Sequence, residues 1–494
     1  MLKNDLRFLL DVRIPMRDGV KLSTDIFMPA KEGCFPVILQ RTPYDNSSPH
    51  STVGAAFFAR HGYAFAIQDV RGRCDSEGEW DPWMNEHLDG YDTIEWIAKQ
   101  PWCDGKVGMM GGSYLGFVQW MAARERPPHL VTLAATVSLG RWGHEFPFMN
   151  GKTNLMTLHW LNMVGGRTNQ QTLDENGEVL IDWETLFRHR PLIDMDLALG
   201  RTNTVWREWM KHISLNDDYW LRIMLNGYYQ HIDLPVLHIT GWFDDDQVGA
   251  LNYYKGMINE SPAKDKQYLI IGPWDHSGTR RPKTQLGDLE FSDQSVLDIR
   301  GIHLRWFNHW LKGEKNGVDE DPRVRIYTME REEWKEAQAW PLPQMIETAF
   351  YFHSEGSANS RDGDGKIDQW KPKDEPEDRY IYDPEDPTPG VENLVEQYYL
   401  PIDQYFAEPR KDVLVYTSDP LEEEIEVTGI PYVVLYVASD AIDTDFAAVL
   451  TNVFPDGRSI RVAENIMRAS YRDSLSTPKP IEPGRIYCYK IELN

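Results

Sequence analysis

The chain has 494 residues, 41% hydrophobic and 12% aromatic, which is material for two or three packed domains rather than one core. With 77 acidic against 51 basic side chains, its formal charge of −26 excludes the basic surface that nucleic acid requires and favours neutral or cationic small molecules. It contains no run of eighteen apolar residues, so no membrane span is expected.

The N-terminal stretch Met1–Asp11 is too charged, and its apolar part too short, for a secretory signal. The four cysteines (Cys34, Cys74, Cys103, Cys488) have no metal-ligand spacing. Both features read as a cytoplasmic protein with reduced thiols and no metal or cofactor.

In chain order, Leu9–Ile14 and Lys21–Met28 alternate in polarity around an Asp18-Gly19 turn, which predicts a hairpin. Apolar runs at Val20–Phe27, Pro36–Gln40, Tyr63–Gln68 and Val107–Met110 then alternate with helical segments, one of them over His87–Lys99. That rhythm predicts a largely parallel sheet covered by helices on both faces, an α/β fold.

The most informative stretch closes this region. A strand-like run to Met110 enters Gly111-Gly112-Ser113, and a helix-compatible segment, Tyr114–Arg124, leaves it. Such an elbow lifts a serine hydroxyl clear of the backbone and turns the next amide, that of Tyr114, toward whatever the serine attacks. The spacing is Gly111-x-Ser113-x-x-Gly116, a serine nucleophile of the α/β-hydrolase type.

From about residue 140 to 233 tryptophans, methionines and helical spacing dominate, as in Trp206–His212, and predict a helical cap inserted between sheet strands. Two further strands follow. Pro235–Thr240 leads to Gly241-Trp242-Phe243-Asp244, and Gln267–Ile271 leads to Gly272-Pro273-Trp274-Asp275-His276. Reactive groups of open α/β sheets gather beyond the carboxyl ends of strands, and the order Ser113, Asp244, His276 is the triad order of such hydrolases. His276 would take the Ser113 proton, and Asp244 would hold the imidazole tautomer. The sheet is expected to end near Trp340. Beyond it lie short strands such as Glu347–Phe352, Val413–Thr417, Pro431–Ala438 and Phe446–Val453, which predict an all-β domain. The segment Ser360–Lys371 imitates half a calcium loop, but Lys371 stands where a bidentate glutamate is needed.

Taken together, Met16–Leu22, Arg41–Asp45, Gln68–Arg73, Asp89–Trp96, Trp102–Gly105, the Ser113 elbow, Gly241–Asp244, Gly272–His276 and Arg305–Gly313 resemble the cocaine esterase-like and X-Pro dipeptidyl peptidase-like serine hydrolases. The resemblance implies an α/β-hydrolase body (1–139 and 234–340), a helical cap (140–233) and a jelly-roll-like domain (341–494). Against that pattern the last domain is expected to be incomplete, since relatives continue for further strands. It also implies that Tyr44 completes the oxyanion hole with the Tyr114 amide, and that the cap region supplies pocket walls, with Trp142, Phe146, Trp160, Trp242 and Phe243 as candidates. Asp246 matches one member of the carboxylate cluster with which α-amino acid ester hydrolases bind a substrate ammonium, while Gln247 is neutral where a second acid would stand. The substrate expected is a small ester or amide, without nucleic acid or membrane, and a homodimer is compatible with the sequence. X-Pro dipeptidyl peptidase, α-amino acid ester hydrolase or acylase, and an inactive hydrolase-fold binding protein are the alternatives.

Overall fold

A computed structural model describes residues 5–170, 173–175, 180–215, 218–391, 397 and 399–494. Its centre is a ten-stranded sheet of β1 (Leu6–Pro15), β2 (Lys21–Pro29), β3 (Phe35–Thr42), β4 (Ala64–Asp69), β5 (Cys103–Gly112), β6 (Leu130–Thr136), β7 (Val236–Phe243), β8 (Gln267–Asp275), β9 (Val324–Thr328) and β10 (Glu333–Ala337). The spatial order is β1-β2-β4-β3-β5-β6-β7-β8-β9-β10. Strands β4, β3 and β5 to β9 run parallel, and the hairpins β1–β2 and β9–β10 close the two edges antiparallel. The Asp18-Gly19 turn joins β1 to β2, as its turn chemistry requires.

Both faces of this sheet are covered, which is why its central strands are apolar throughout rather than alternating. Helices α1 (Pro49–Arg60), α2 (Glu86–Ala98) and α3 (Tyr114–Arg124) pack against its first half. One core gathers Leu39, Val107, Phe117, Met121 and Leu133, and the opposite face buries Ile38, Phe58, Ile67, Ile239 and Phe307. Within the interior the Arg41 guanidinium, fully buried, meets Glu86 at 2.7 Å and donates through Nε to Gln68 at 2.8 Å. Such a pair survives burial only because every charge finds a partner.

The insertion after β6 holds short helices: α4 (Met156–Val164), α5 (Trp183–Phe187), α6 (Met195–Ala198), α7 (Thr204–Trp209) and α8 (Asp218–Leu221). It is not purely helical. Three two-residue strands at His144–Glu145, Phe148–Met149 and Lys152–Thr153 form a small antiparallel sheet, broken by Pro147 and Gly151. The insertion is tied to the sheet through Arg73, which donates to the Val164 carbonyl at 2.6 Å and to Asn169 at 2.9 Å. Helices α9 (Gln247–Glu260) and α10 (Ile299–Trp310) complete the body.

The C-terminal part is β-rich. Strands β11 (Tyr351–His353) and β12 (Lys366–Asp368), β13 (Tyr432–Val437) and β16 (Tyr487–Glu492), and β14 (Asp445–Val453) and β15 (Ser459–Arg468) form antiparallel pairs. The strand expected at Glu347–Phe352 is reduced to Tyr351–His353. Val413–Thr417 makes only isolated bridges, through Leu414 and Thr417, and is no strand. Across the boundary Arg141 pairs with Glu492 at 2.7 Å, Asn150 donates to Asn465 at 3.1 Å, and the Ser214 hydroxyl donates to the Ser476 carbonyl at 2.7 Å. Among the described residues no helix is long and apolar enough to cross a membrane.

Candidate active site

Strand β5 ends at Gly112 and α3 begins at Tyr114, so Ser113 alone turns the chain. Its backbone lies at φ 62° and ψ −127°, a region a residue with a side chain occupies only when its surroundings over-determine it. Here they do. The Ser113 amide donates to the carbonyls of Thr136 (3.1 Å) and Val137 (2.9 Å), and its own carbonyl accepts from Gly116 (2.8 Å) and Phe117 (3.0 Å). Gly116 is needed for close approach: a Cβ there would run into the Ser138 hydroxyl and come within 2.7 Å of the Thr136 carbonyl oxygen. Tyr114 is the first residue of α3, so its amide precedes the helical ladder and points out from the helix start.

The same bonding carries the sheet's carboxyl edge sideways. The Val137 amide donates to Ile239 at 2.7 Å, and Phe243 at the end of β7 is in register with Asp275 at the end of β8. This edge brings Asp244 and His276 together. The His276 Nδ1 lies 3.3 Å from an Asp244 oxygen in hydrogen-bond geometry, 3.1 Å from Asp245 Oδ1 and 4.0 Å from Asp246 Oδ2. Burial opposes a charged imidazole, but the carboxylates of Asp244 and then Asp245 outweigh it and hold His276 well above its ordinary value. Burial raises Asp244. Asp245 is lowered, burial being outweighed by the attraction of His276. Burial, reinforced by the Asp245 charge, keeps Asp246 well above the carboxylate range. No hydrogen bond joins the Ser113 hydroxyl to the imidazole in this structure. Such links are commonly long in unliganded sites and tighten with substrate.

Tyr44 follows β3, and its hydroxyl accepts a 3.1 Å hydrogen bond from Trp160 Nε1. Burial raises its phenol, which therefore stays a proton donor. The Tyr114 side chain points away into the body, donating to Glu86 at 2.7 Å and accepting from the Trp83 amide at 3.0 Å, which leaves only its backbone for the site.

The expected pocket walls divide. Trp160 and Phe146 are partly exposed and pack in an aromatic cluster around Trp83, with ring centroids 6.0 Å from Trp83 in each case. Trp142 is 5% exposed and spent on packing against Trp83, Phe117 and Trp220, so it offers no surface to a substrate. Trp242, half-buried, and Phe243, buried, are engaged in packing within the body. Trp242 donates to the Tyr327 carbonyl at 2.8 Å and leans on Trp340, while Phe243 fills a cluster with Leu286, Phe291 and Tyr327. Both serve the contacts of β7 with β9 and its neighbours.

Three residues near the site have no role assigned from the sequence. Asp245, the middle of the carboxylate run Asp244-Asp245-Asp246, approaches His276 as closely as Asp244 does. Glu145 is buried and accepts from the Gly140 amide at 2.5 Å and from the Arg141 amide, and burial pushes its carboxyl up to about 8. Arg280 lies four residues past His276, and only its position in the chain hinted at it. Among the described residues two clusters hold metal-type ligand atoms within 4.8 Å of one another: Asp244, Asp245, Asp246 and His276, and Asp45, Asp69 and Cys74. In the second, burial pushes the Cys74 thiol up to about 12 and the Asp69 carboxyl to about 7, both of which disfavour a cation.

Residues 18–278 match the family model of the X-Pro dipeptidyl-peptidase (S15 family), and residues 316–494 that of the X-Pro dipeptidyl-peptidase C-terminal non-catalytic domain. The chain belongs to the S15 family. This S15 chain is 34% identical over 507 residues to the cocaine esterase of Rhodococcus sp. (strain MB1 Bresler), a match spanning 98% of the chain and 87% of that relative. Among solved structures it is similar to an α-amino acid ester hydrolase (26% identity, TM-score 0.86, all of this chain and 86% of the other). It is also similar to an aminopeptidase from the marine sediment archaeon Thaumarchaeota archaeon (26% identity, TM-score 0.84, all of this chain and 87% of the other).

Proposed function

We propose that the chain is a serine esterase working through an acyl-enzyme. Ser113 attacks the ester carbonyl while His276 accepts its proton. Tyr44 and the Tyr114 amide hold the developing oxyanion, and His276 returns the proton to the departing alkoxide. Water, deprotonated by His276, then releases the acid and restores Ser113. Asp244 orients the imidazole through Nδ1. The observation that carries this reading is the positive-φ backbone of Ser113 at the β5–α3 turn, on the same sheet edge as the paired Asp244 and His276.

The division of labour proposed with it gives catalysis to residues 1–139 and 234–340 and covers the site with residues 140–233. Residues 341–494 act as a buttress in the cytoplasm-type setting expected from the thiols. The cocaine esterase likeness over nearly the whole chain favours esters over X-Pro amides.

A fluorophosphonate probe is expected to label wild type at one site and to leave Ser113→Ala unlabelled. Phenyl butanoate should be hydrolysed faster than an Ala-Pro anilide. Equal labelling of Ser113→Ala, or full turnover by it, would refute Ser113 as the nucleophile, and a wild type that neither labels nor turns over would return the chain to a hydrolase-fold binding protein.

A further inference from the structure

Arg280 is a cationic group beside the site for which the mechanism has no use. Its Nη1 is buried without a hydrogen-bond partner, and no ion pair reaches its side chain among the described residues. Scarcity of acids does not explain this, since 77 acidic side chains stand against 51 basic ones. Arg41, Arg71 and Arg207 all find carboxylates. A buried guanidinium nitrogen without a partner forfeits its hydrogen bonds to water and gains nothing in return.

Its place is specific. An ideal Cβ on Gly112 would stand 2.6 Å from Arg280 Nη1 and 3.1 Å from its Cδ, so the missing side chain at Gly112 lets the guanidinium lie against the backbone directly before Ser113. Its charge is felt at three groups around the reacting centre: Tyr44, Asp245 and His276. Asp245 is nevertheless outside ion-pair distance, and it is occupied at 3.1 Å with His276.

We infer that Arg280 is the recognition site for a carboxylate carried by the substrate, so that this chain prefers esters bearing an anionic group near the scissile bond. The inference rests on the Ser113 reading and deepens it. A guanidinium pairs with a carboxylate through parallel, charge-assisted hydrogen bonds, and it restores locally what the net charge of −26 denies to an anion elsewhere. The carboxylate can reside on the acyl side or on the leaving group, and the two are separated by experiment.

Monomethyl adipate is compared with methyl adipamate, and 4-carboxyphenyl butanoate with 4-carbamoylphenyl butanoate. Each pair differs only in charge, and rates are normalised to hydroxide-catalysed hydrolysis. Wild type is expected to favour the carboxylate of at least one pair in kcat/KM by about 10- to 100-fold, mostly through KM. Arg280→Gln should erase that ratio and Arg280→Lys should keep part of it. Preference in the first pair places the carboxylate on the acyl side, and in the second on the leaving group.

Ratios within twofold of unity in both pairs, or ratios that Arg280→Gln leaves unchanged, would overturn the inference while leaving the esterase reading intact. So would an equal fall in kcat for charged and neutral esters, because Arg280 would then only support the oxyanion. A failure to hydrolyse any of the four, with no labelling at Ser113, would overturn both.

Discussion

Replacing Tyr44 by phenylalanine removes one hydroxyl and leaves the ring in place. The Tyr44 oxygen already accepts a hydrogen bond from Trp160 Nε1 at 3.1 Å, so its own proton is directed elsewhere and is available to an oxyanion. Losing such a donor typically raises the barrier by about 3 kcal/mol, or roughly 10²–10³ in kcat. A second, separate effect follows from the same contact. Trp160 Nε1 loses its acceptor, at a cost of about 1 kcal/mol in stability if no water replaces it. The two effects are read apart by kcat on phenyl butanoate and by urea unfolding. Trp160→Phe is the control, since it breaks the same hydrogen bond while keeping the hydroxyl. We expect Tyr44→Phe to lose at least 100-fold in kcat and Trp160→Phe to lose far less, with the larger loss of stability in Trp160→Phe, which also opens a gap in the aromatic cluster. Were Tyr44→Phe within threefold of wild type in kcat, the hydroxyl would be only a packing partner of the indole.

Asp244→Asn and Asp245→Asn should diverge. The first is expected to cost about 10⁴ in kcat by releasing the imidazole tautomer. The second should keep most of the plateau rate but move the acidic limb of the pH–rate profile to lower pH. His276 must be neutral to accept a proton, and removing a nearby negative charge destabilises its charged form. A limb that stays put or moves upward would contradict that assignment. Arg41→Met leaves Glu86 charged and buried without its cation, and stability is expected to fall by about 3–5 kcal/mol in denaturant titration. Gly116→Ala forces a methyl against the Thr136 carbonyl and Ser138, and should cost about 1–3 kcal/mol together with much of the activity, because it levers α3 away from Ser113. Unchanged unfolding midpoints in either variant would show that these contacts relax freely.

Much of this site was legible because the fold forces it onto one edge. The glycines around Ser113, the apolar runs before Asp244 and His276, and the chain order are local signals, and each marks the carboxyl end of a parallel strand. What was not legible depends on side-chain direction. In Asp244-Asp245-Asp246 nothing local says which carboxylates turn toward the imidazole, and all three lie within 4.0 Å of its Nδ1. Trp242 and Phe243 are expected as pocket walls only from the family resemblance. Both belong to β7, though, and a strand covered on both faces sends successive side chains into packing on opposite sides. The Glu86–Tyr114 hydrogen bond joins residues 28 apart with no periodic relation, and the unpaired Arg280 shows itself only once the partners around it are known. At Val413–Thr417 β-propensity was present but no neighbouring strand lay alongside to pair with it.

The insertion after β6 is anchored on two sides: Arg73, just past β4, grips it from the body, and its Arg141, Asn150 and Ser214 fasten it to the β-rich part. Moored on both flanks, the insertion is braced against swinging as one piece on its links to β6 and β7.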